Sequence, residues 1–305
     1  MSDLLAIGEA MVELNQAGDA AAFMQGFGGD TSNAMIAASR LGADASYFTA
    51  IGADRFGQAL VELWMREGVD ASRVVVNGGA HTGLYFVTHG PDGHQFSYMR
   101  AGSAASRISE ADLPVDRIRE TKVLHVSGIS QAISSSAADA VFAAIDIAHD
   151  AKRLVSYDPN LRLKLWPLRR ARAVIHEAMR ACDIALPGLD DAEALADLRD
   201  PDAIADFYLR LGAQIVVVKM GKGGALAATA KGRERIYPRA VQAVDATGAG
   251  DCFDGAFLAE YVRTGDPFAA ARFANVAASL STRHYGAVAP LPRRADVEAA
   301  MGQSA

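Results

Sequence analysis

The feature that most constrains the fold is a repeated alternation of short apolar runs with helix-forming segments. The clearest run is Gln-Ile-Val-Val-Val-Lys at 214–219. It shows no polar alternation, which is typical of a parallel strand buried on both faces. Similar runs at 4–8, 47–51, 122–126 and 154–158 are separated by helix-forming segments. The pattern predicts an α/β chain with a doubly wound, mostly parallel sheet and helices on both faces.

Two strand-like runs, 82–89 and 95–100, interrupt this alternation. They are joined by Gly-Pro-Asp-Gly, a turn-forming sequence, so they are predicted to form a β-hairpin. Insertions near 10–25 and 77–105 are predicted to form a small β-sheet lid on a single domain spanning residues 1–305. Ligands are expected at the carboxyl ends of the parallel strands.

Composition excludes several classes of protein. The 305 residues carry 36 acidic and 30 basic side chains, a formal net charge of −6, so neither nucleic acid nor a membrane surface is an expected partner. Two cysteines, Cys182 and Cys252, provide neither a disulfide framework nor a zinc module. The N-terminus lacks a basic region, and no apolar run approaches the roughly 18 residues of a membrane helix. We therefore expect a cytoplasmic protein that acts on a small molecule.

The segment 245–253, Asp-Ala-Thr-Gly-Ala-Gly-Asp-Cys-Phe, carries the strongest chemical signal. Its small residues let the backbone approach a ligand, and amide groups at the start of a helix bind anions. Asp251 could accept a proton from a hydroxyl while these amides stabilise charge on a transferring phosphoryl group. The structural alternative is a glycine turn followed by an aspartate that caps the helix.

Three segments together resemble a known family. Segment 245–253 resembles the C-terminal signature of the ribokinase/phosphofructokinase-B family of sugar kinases. Segments 28–34 (Gly-Gly-Asp-Thr-Ser-Asn-Ala) and 51–57 (Ile-Gly-Ala-Asp-Arg-Phe-Gly) resemble its N-terminal signature. The order and spacing match over almost the whole chain. The resemblance implies a ribokinase-like fold, ATP and Mg²⁺ as cofactors, and a homo-oligomer, because lid strands in this family often pair between subunits.

The resemblance also implies roles for individual residues. Asp251 matches the family's catalytic base. The amides of the family's anion hole match Gly248, Ala249 and Gly250. The residues expected to bind the sugar are Gly29, Asp30, Asn33, Tyr85, Tyr98, Arg100, Ile129, Arg162 and Asp251. The residues expected to bind the nucleotide are Asn160, Arg162, Lys219, Gly221, Gly223, Gly224, Gly248, Ala249, Gly250 and Asn275.

The positions near the expected metal ions depart from the family pattern. Gly188 stands where the family often has Asn, and Asp191 stands where it has Glu. Mg²⁺ is therefore expected to be held mainly by ATP and water, with Asp191 acting through a water molecule. Asp245 and Thr247 match positions that bind a monovalent cation, K⁺, in part of the family.

The segment 96–106, Phe-Ser-Tyr-Met-Arg-Ala-Gly-Ser-Ala-Ala-Ser, discriminates between sugars. It resembles the corresponding segment of the 2-keto-3-deoxygluconate kinases, and 158–162 (Asp-Pro-Asn-Leu-Arg) resembles a segment shared with fructokinases. Tyr98 and Arg100 are two positions apart on a predicted strand, so both point to one face. Arginine binds a carboxylate in a bidentate manner, and a neutral sugar would leave it desolvated and unpaired. We therefore expect ATP-dependent phosphorylation of the 6-hydroxyl of 2-keto-3-deoxygluconate.

Several alternatives remain open. A fructokinase or another sugar kinase of this fold would share the same signatures. A nucleoside kinase predicts an aromatic-rich pocket without Arg100. A non-catalytic sugar-binding protein needs no base, so the intact Gly-Ala-Gly-Asp argues against it. Arg100 could also be an exposed charge that protects the edge of a strand.

Overall fold

The computed structural model describes residues 2–17, 22–90 and 93–302. Parts of the predicted lid (18–21), of the hairpin turn (91–92) and of the two ends of the predicted domain (1 and 303–305) lie outside the described residues. The strands are β1 (Leu4–Ile7), β2 (Met11–Ala17), β3 (Ala22–Gly28), β4 (Ala45–Phe48), β5 (Ala50–Gly52), β6 (Val75–Asn77), β7 (Leu84–Gly90), β8 (Gly93–Met99), β9 (Val123–Ser127), β10 (Leu154–Asp158), β11 (Ile184–Ala185), β12 (Ile215–Lys219), β13 (Ala225–Thr229) and β14 (Gly232–Ile236). The helices are α1 (Asp30–Arg40), α2 (Arg55–Arg66), α3 (Val115–Glu120), α4 (Gly128–Ala132), α5 (Ser135–Asp150), α6 (Leu168–Arg180), α7 (Leu189–Ala196), α8 (Pro201–Leu211), α9 (Ala249–Thr264), α10 (Pro267–Ser281) and α11 (Arg294–Gly302).

The main sheet has the strand order β14-β13-β12-β11-β10-β9-β1-β4. The strands from β4 to β12 along this order are parallel, and at the other edge β13 pairs in an antiparallel manner with both β12 and β14. Alternate residues of β1 join two different apolar clusters, Leu4 and Ala6 in one, Leu5 and Ile7 in the other. Because side chains alternate between the faces of a strand, helices cover both faces of the sheet. The predicted doubly wound, mostly parallel sheet is therefore confirmed.

The predicted strand at 47–51 is two strands. The chain leaves the main sheet after Phe48, and β5 pairs in parallel with β6, which places Ala50 opposite Val75. The backbone oxygen of Thr49 accepts from the amide of Val75, which fixes the break between β4 and β5. The sequence did not indicate β6, because its three residues gain their strand geometry from this pairing.

A second sheet, in the order β3-β2-β7-β8, forms the lid. The predicted hairpin is confirmed, since β7 and β8 are antiparallel and Tyr85 lies opposite Tyr98. Strands β2 and β3 form a second antiparallel hairpin, which joins the first through parallel pairing of β2 with β7. Arg100, predicted to lie in the strand, is the first residue after β8.

Two helices begin at the edge of the main sheet where the parallel strands end. Helix α1 follows β3, and α9 packs across it so closely that a Cβ on Gly255 would lie 2.1 Å from the backbone oxygen of Ala34. Glycine at this position therefore lets the two helices approach each other. Among the described helices, none is long and apolar enough to cross a membrane.

Candidate active site

Asp251 lies in the first turn of α9. Gly248 caps this helix with φ 74° and ψ 4°, a left-handed conformation that favours glycine. The amide of Ala249 donates to the backbone oxygen of Ala246 at 3.1 Å, so it is occupied within the turn. In the described part of the chain, no hydrogen-bond acceptor pairs with the amides of Gly248 and Gly250. Of the three amides predicted to form the anion hole, these two are therefore open for a ligand at the positive end of the helix.

The carboxylate of Asp251 faces α1. Asn33 on α1 is buried, and its Nδ2 donates to Oδ2 of Asp251 at 2.8 Å. Burial, with the negative charge of Asp30, raises the pKa of Asp251 to about 7, although the bond from Asn33 acts in the opposite direction. A carboxyl group with this pKa takes up and releases protons near neutral pH, as a general base does. Two predicted residues from opposite ends of the chain thus meet.

The start of α1 forms the predicted sugar side of the site. Its cap, Gly29, has φ 124°, and a Cβ there would lie 2.5 Å from the backbone oxygen of Glu9. Only glycine fits this approach, which brings the end of β1 against the helix. Oδ2 of Asp30 accepts from Nδ2 of Asn160 at 3.0 Å. Asn160, predicted to contact the nucleotide, therefore contacts the sugar side.

Arg100 is not an unpaired cation. Its Nη2 forms an ion pair with Oε2 of Glu9, and the two side chains are 11% and 0% exposed. Ser103 Oγ donates to Oε1 of the same glutamate at 2.8 Å. The expectation that a neutral sugar would leave Arg100 unpaired is therefore wrong, because Glu9 neutralises it. Within residues 2–17, 22–90 and 93–302, however, the buried Nε of Arg100 has no hydrogen-bond partner.

The lid tyrosines lie beside Arg100. The rings of Tyr85 and Tyr98 are 5.8 Å apart between centroids, and the guanidinium carbon of Arg100 lies 5.8 Å from the Tyr98 centroid. The hydroxyl of Tyr85 donates to Oε2 of Glu13 at 2.5 Å. A Cβ on Gly28 would lie 2.4 Å from that hydroxyl, so Tyr85 packs over the backbone that leads into α1. Tyr85 is buried, whereas Tyr98 is 46% exposed.

Lys219, at the end of β12, lies beside the first turn of α9. Its Nζ donates to Oδ2 of Asp158 at 3.0 Å and to both carboxylate oxygens of Asp254 at 2.8 and 3.0 Å. Burial would lower the pKa of this ammonium, but the two carboxylates raise it above its usual value. A Cβ on Gly250 would lie 3.9 Å from Nζ. The lysine predicted to bind the nucleotide thus lies beside Gly250, at the start of α9.

The glycine loop after Lys219 has a structural reason for its glycines. Gly221–Gly223 form a 3₁₀ turn, and Gly221 and Gly224 have φ values of 52° and 84°. A Cβ on Gly224 would lie 2.0 Å from the backbone oxygen of Ile236, so β14 leaves no room for a side chain. The loop is expected to contact the nucleotide because it holds Lys219 at the site. It is not a P-loop, because it lacks the Gly-x-x-x-x-Gly-Lys-Ser/Thr pattern.

Three further predicted residues surround the same edge of the sheet. Arg162 is exposed after β10, and its positive charge acts on Asp30 and Asp191. Ile129 lies half-buried in α4. Asn275 is buried on α10, and its Nδ2 donates to the backbone oxygen of Tyr237 at 2.9 Å. Asn275 thereby fixes the segment that follows β14 in place.

The predicted cation positions differ from each other. Burial, with the charge of Asp158, raises the pKa of Asp191 to about 6, and a neighbouring cation would relieve this cost. Asp191 thus fits a magnesium ion carried mainly by ATP. Asp245 accepts at Oδ1 from the amide and hydroxyl of Thr247 at 2.9 and 2.7 Å and at Oδ2 from the amide of Gly286 at 2.9 Å. In the described ranges, no cluster of three or more metal-binding side chains is found.

Sequence reasoning assigned no role to four acidic residues of the site, Glu9, Glu13, Asp158 and Asp254. Glu9 follows β1 and Asp158 ends β10, at the edge where ligands of an α/β sheet bind, so a signal was present for both. Glu13 lies in the lid strand β2. Asp254 is a charged residue three positions after Asp251 in an otherwise apolar stretch of α9. A fully buried charge in a helix needs a partner, which indicates a cation nearby.

The fold and this site define a carbohydrate kinase. The chain belongs to the pfkB family of carbohydrate kinases, whose family model matches residues 1–294. The 2-dehydro-3-deoxygluconokinase of Thermoproteus tenax is 35% identical over 308 residues, covering 97% of this chain and 94% of that protein. Fructokinase-1 of Oryza sativa subsp. japonica is 34% identical over 292 residues, covering 92% and 89%. A putative ribokinase II from E. coli in complex with ATP and Mg²⁺ matches with a TM-score of 0.91 at 25% identity, covering 99% of this chain and 100% of that one.

These comparisons confirm the predicted family and the ribokinase-like fold. They support the use of ATP and a metal ion, which the E. coli structure holds. The two relatives act on different sugars at nearly equal identity, 35% and 34%. Similarity alone therefore does not separate an acidic from a neutral sugar, and the choice depends on the residues of the lid.

Proposed function

We propose that this carbohydrate kinase transfers the γ-phosphoryl group of ATP to the 6-hydroxyl of 2-keto-3-deoxygluconate, giving 2-keto-3-deoxy-6-phosphogluconate. The observation that carries the proposal is the buried Nε of Arg100, which has no hydrogen-bond partner in the described part of the chain. A guanidinium has five N–H donors, and the ion pair with Glu9 leaves others for a ligand. A substrate carboxylate is the acceptor that such a fork binds best.

The two ends of the substrate would then meet different elements. The carboxylate lies against the lid, at Arg100 and the tyrosines, whereas Arg162 adds positive charge on the side of Asp30 and Asp191. The hydroxyls in between meet the start of α1, where Oδ1 of Asn33 is buried and has no partner within the described residues. The 6-hydroxyl lies at Asp251. This orientation uses the polar groups that the protein itself leaves unpaired.

The chemistry follows from the start of α9. As the oxygen of the 6-hydroxyl bonds to the γ-phosphorus, its proton passes to the carboxylate of Asp251 and ADP leaves. The amides of Gly248 and Gly250 stabilise the charge on the transferring group. Asp191 is the residue that would hold, through water, a Mg²⁺ ion carried by ATP, and such an ion would neutralise charge on the phosphates. The lid excludes water, which limits hydrolysis of ATP.

A fructokinase is the second candidate, and a specific observation favours it. Glu9 neutralises Arg100, and Glu13 lies beside Tyr85 on the same side of the site. These carboxylates would accept hydrogen bonds from the hydroxyls of a neutral sugar and repel a carboxylate. The two candidates therefore differ in whether the substrate takes up the open donors of Arg100.

The wider setting is part of the same proposal. The chain acts as one domain with its lid, in the cytoplasm, where ATP is available. Exposed apolar side chains on the lid strands, including Phe23, Met24 and Met99, support a homo-oligomer in which the lid is covered. Asp245 and Thr247 are proposed to adjoin a K⁺ site, so replacing K⁺ by tetramethylammonium is expected to lower kcat.

The test is a coupled assay of ADP release by the wild-type enzyme over a panel of sugars. The panel contains 2-keto-3-deoxygluconate, gluconate, fructose, ribose and adenosine. We expect the highest kcat/KM with 2-keto-3-deoxygluconate, and ³¹P–¹H NMR of the product is expected to place the phosphate on C6. A higher kcat/KM with fructose would replace the proposal with the second candidate. ADP release that is independent of any sugar would reject both.

A further inference from the structure

Three buried charged residues form a cluster next to the proposed base. We define the lysine clamp as Asp158, Lys219 and Asp254. The side chains of the two aspartates are 6% and 2% exposed, and that of the lysine is 13% exposed. They come from the end of β10, the end of β12 and the second turn of α9, so three separate elements converge on one ammonium group.

The donors of the ammonium can be counted. Lys219 Nζ carries three N–H donors. One carboxylate oxygen of Asp158 lies 3.0 Å away, and the two oxygens of Asp254 lie 2.8 and 3.0 Å away on the same group. These three contacts engage all three N–H donors, and two of them go to one carboxylate, so one donor can pass to a phosphoryl oxygen while both aspartates stay bound. A Cβ on Gly250 would lie 3.9 Å from Nζ. The ammonium therefore adjoins the start of α9, where an anion is proposed to bind.

The cluster is not explained as a structural link alone. Two aspartates share one ammonium in a buried position, and burial raises the pKa of Asp254 well above its usual value. Apolar side chains in place of a buried ion pair are often neutral or stabilising, so a link between α9 and the sheet does not require these charges. Asp158 is also fixed by the amide of Asn160, which donates to its Oδ1 at 3.2 Å. The cluster is therefore rigid as well as charged.

We propose that Asp158 and Asp254 are positioning residues that hold the ammonium of Lys219 against the transferring phosphoryl group. The inference rests on the proposed transfer at Asp251. Lys219 forms no covalent bond and gives up no proton, so it stabilises the developing charge on the phosphoryl oxygens. The two carboxylates also occupy the ammonium, which prevents it from pairing with Asp251 and weakening that carboxylate as a base.

The test combines Lys219→Met, Asp254→Asn and the double variant. Removal of one such electrostatic contact lowers kcat by about 100- to 1,000-fold, and we expect this for Lys219→Met. Asp254→Asn, which leaves the lysine with one carboxylate, is expected to lower kcat at least about tenfold with the KM of the sugar unchanged. Because Asp254 acts through Lys219, the double variant should match Lys219→Met in kcat within about threefold.

Stability separates positioning from a structural role. Lys219→Met leaves both Asp158 and Asp254 buried without their cation, so the melting temperature should fall, and the double variant should recover part of it because one of the two carboxylates is neutralised. Recovery of the melting temperature without recovery of kcat is the expected result. Recovery of both would overturn the inference and make the clamp a structural link. Glu260→Gln, on the same helix and paired with Arg263 and Arg294, is the control that should change stability only.

Nucleotide binding separates the role of the clamp from the sugar specificity. The dissociation constants of ATP and ADP can be measured by calorimetry without any sugar. We expect Lys219→Met and Asp254→Asn to weaken ADP binding by less than about tenfold, and to lower kcat by a larger factor than they weaken ADP binding. If the wild-type enzyme phosphorylates none of the sugars, the proposed function and the clamp inference both fall. If it phosphorylates one and the clamp variants retain wild-type kcat with it, only the clamp inference falls.

Discussion

Replacing Arg100 tests how the lid selects the sugar. If Arg100 binds the substrate carboxylate, Arg100→Ala removes a charge-assisted contact worth about 1.5–3 kcal/mol. At about 1.4 kcal/mol per tenfold, kcat/KM for 2-keto-3-deoxygluconate should fall by roughly 10- to 100-fold. The loss should appear mainly in KM, since the contact exists both before and during the transfer. Fructose has no carboxylate, so its kcat/KM should change little.

The ion pair with Glu9 complicates the single variant. Arg100→Ala leaves Glu9 fully buried without its cation, and breaking a buried pair costs about 3–5 kcal/mol of stability. A general loss of folded enzyme would then lower turnover of every sugar. The matched background is Glu9→Gln, in which a neutral amide can still accept from Ser103, whose hydroxyl lies 2.8 Å from Oε1 of Glu9. In this background Arg100 also loses its competing partner.

The assay is therefore a four-enzyme comparison with two sugars. Wild type, Glu9→Gln, Arg100→Ala and the double variant are each measured for kcat/KM with 2-keto-3-deoxygluconate and fructose, and for melting temperature. We expect the double variant to recover stability and still lose roughly 10- to 100-fold with the sugar acid alone, relative to Glu9→Gln. Equal losses with the two sugars would refute the carboxylate contact, and Arg100 would be a support of the lid.

Three other predictions concern the base and the helix starts. Gly248→Val forces a β-branched residue to φ 74° and is expected to abolish most activity with the fold retained, checked by kcat and circular dichroism; normal turnover would mean that this turn does not hold phosphate. In a pH profile, kcat/KM should fall as the pH drops through about 7, where Asp251 becomes protonated. Asp30→Asn should move the midpoint of this fall to lower pH because a like charge is removed. An unchanged midpoint would show that the fall in kcat/KM at low pH reports the titration of another group. Gly255→Ala puts a Cβ 2.1 Å from a backbone oxygen of α1 and should lower the free energy of unfolding in urea by at least about 1–3 kcal/mol. An unchanged urea midpoint would contradict the close packing of α1 and α9.

Much of the fold was predictable because local patterns agree with it. The unalternated run of β12 and the turn-forming residues of the β7–β8 hairpin report burial and chain reversal directly. Strand β6 was missed for the opposite reason, and the lid predicted near 10–25 stops short of the end of β3. β3 contains glycines, and both strands owe their geometry to pairing with other segments, which a local pattern does not record.

The site shows the same division. Asp251 and Asn33 are 218 residues apart, yet both were predicted, because each lies at a helix start with its own motif. The partners of the cations were not predicted. Lys219 meets Asp158 and Asp254, which are 61 and 35 residues away, and no feature of the sequence indicates which acids a given lysine contacts. Such pairings depend on which strand ends lie next to each other in the sheet.

We propose that Asp251 accepts the proton of the sugar hydroxyl during phosphoryl transfer, and the variant Asp251→Asn removes that acceptor. Asparagine keeps the size of the side chain and an oxygen that can accept from Asn33 Nδ2, which lies 2.8 Å from Oδ2 of Asp251. Loss of a general base costs about 100- to 10,000-fold, so kcat should fall by at least about 100-fold while ATP affinity and melting temperature stay near wild type. A folded Asp251→Asn enzyme that keeps more than about a tenth of the wild-type kcat would contradict the account.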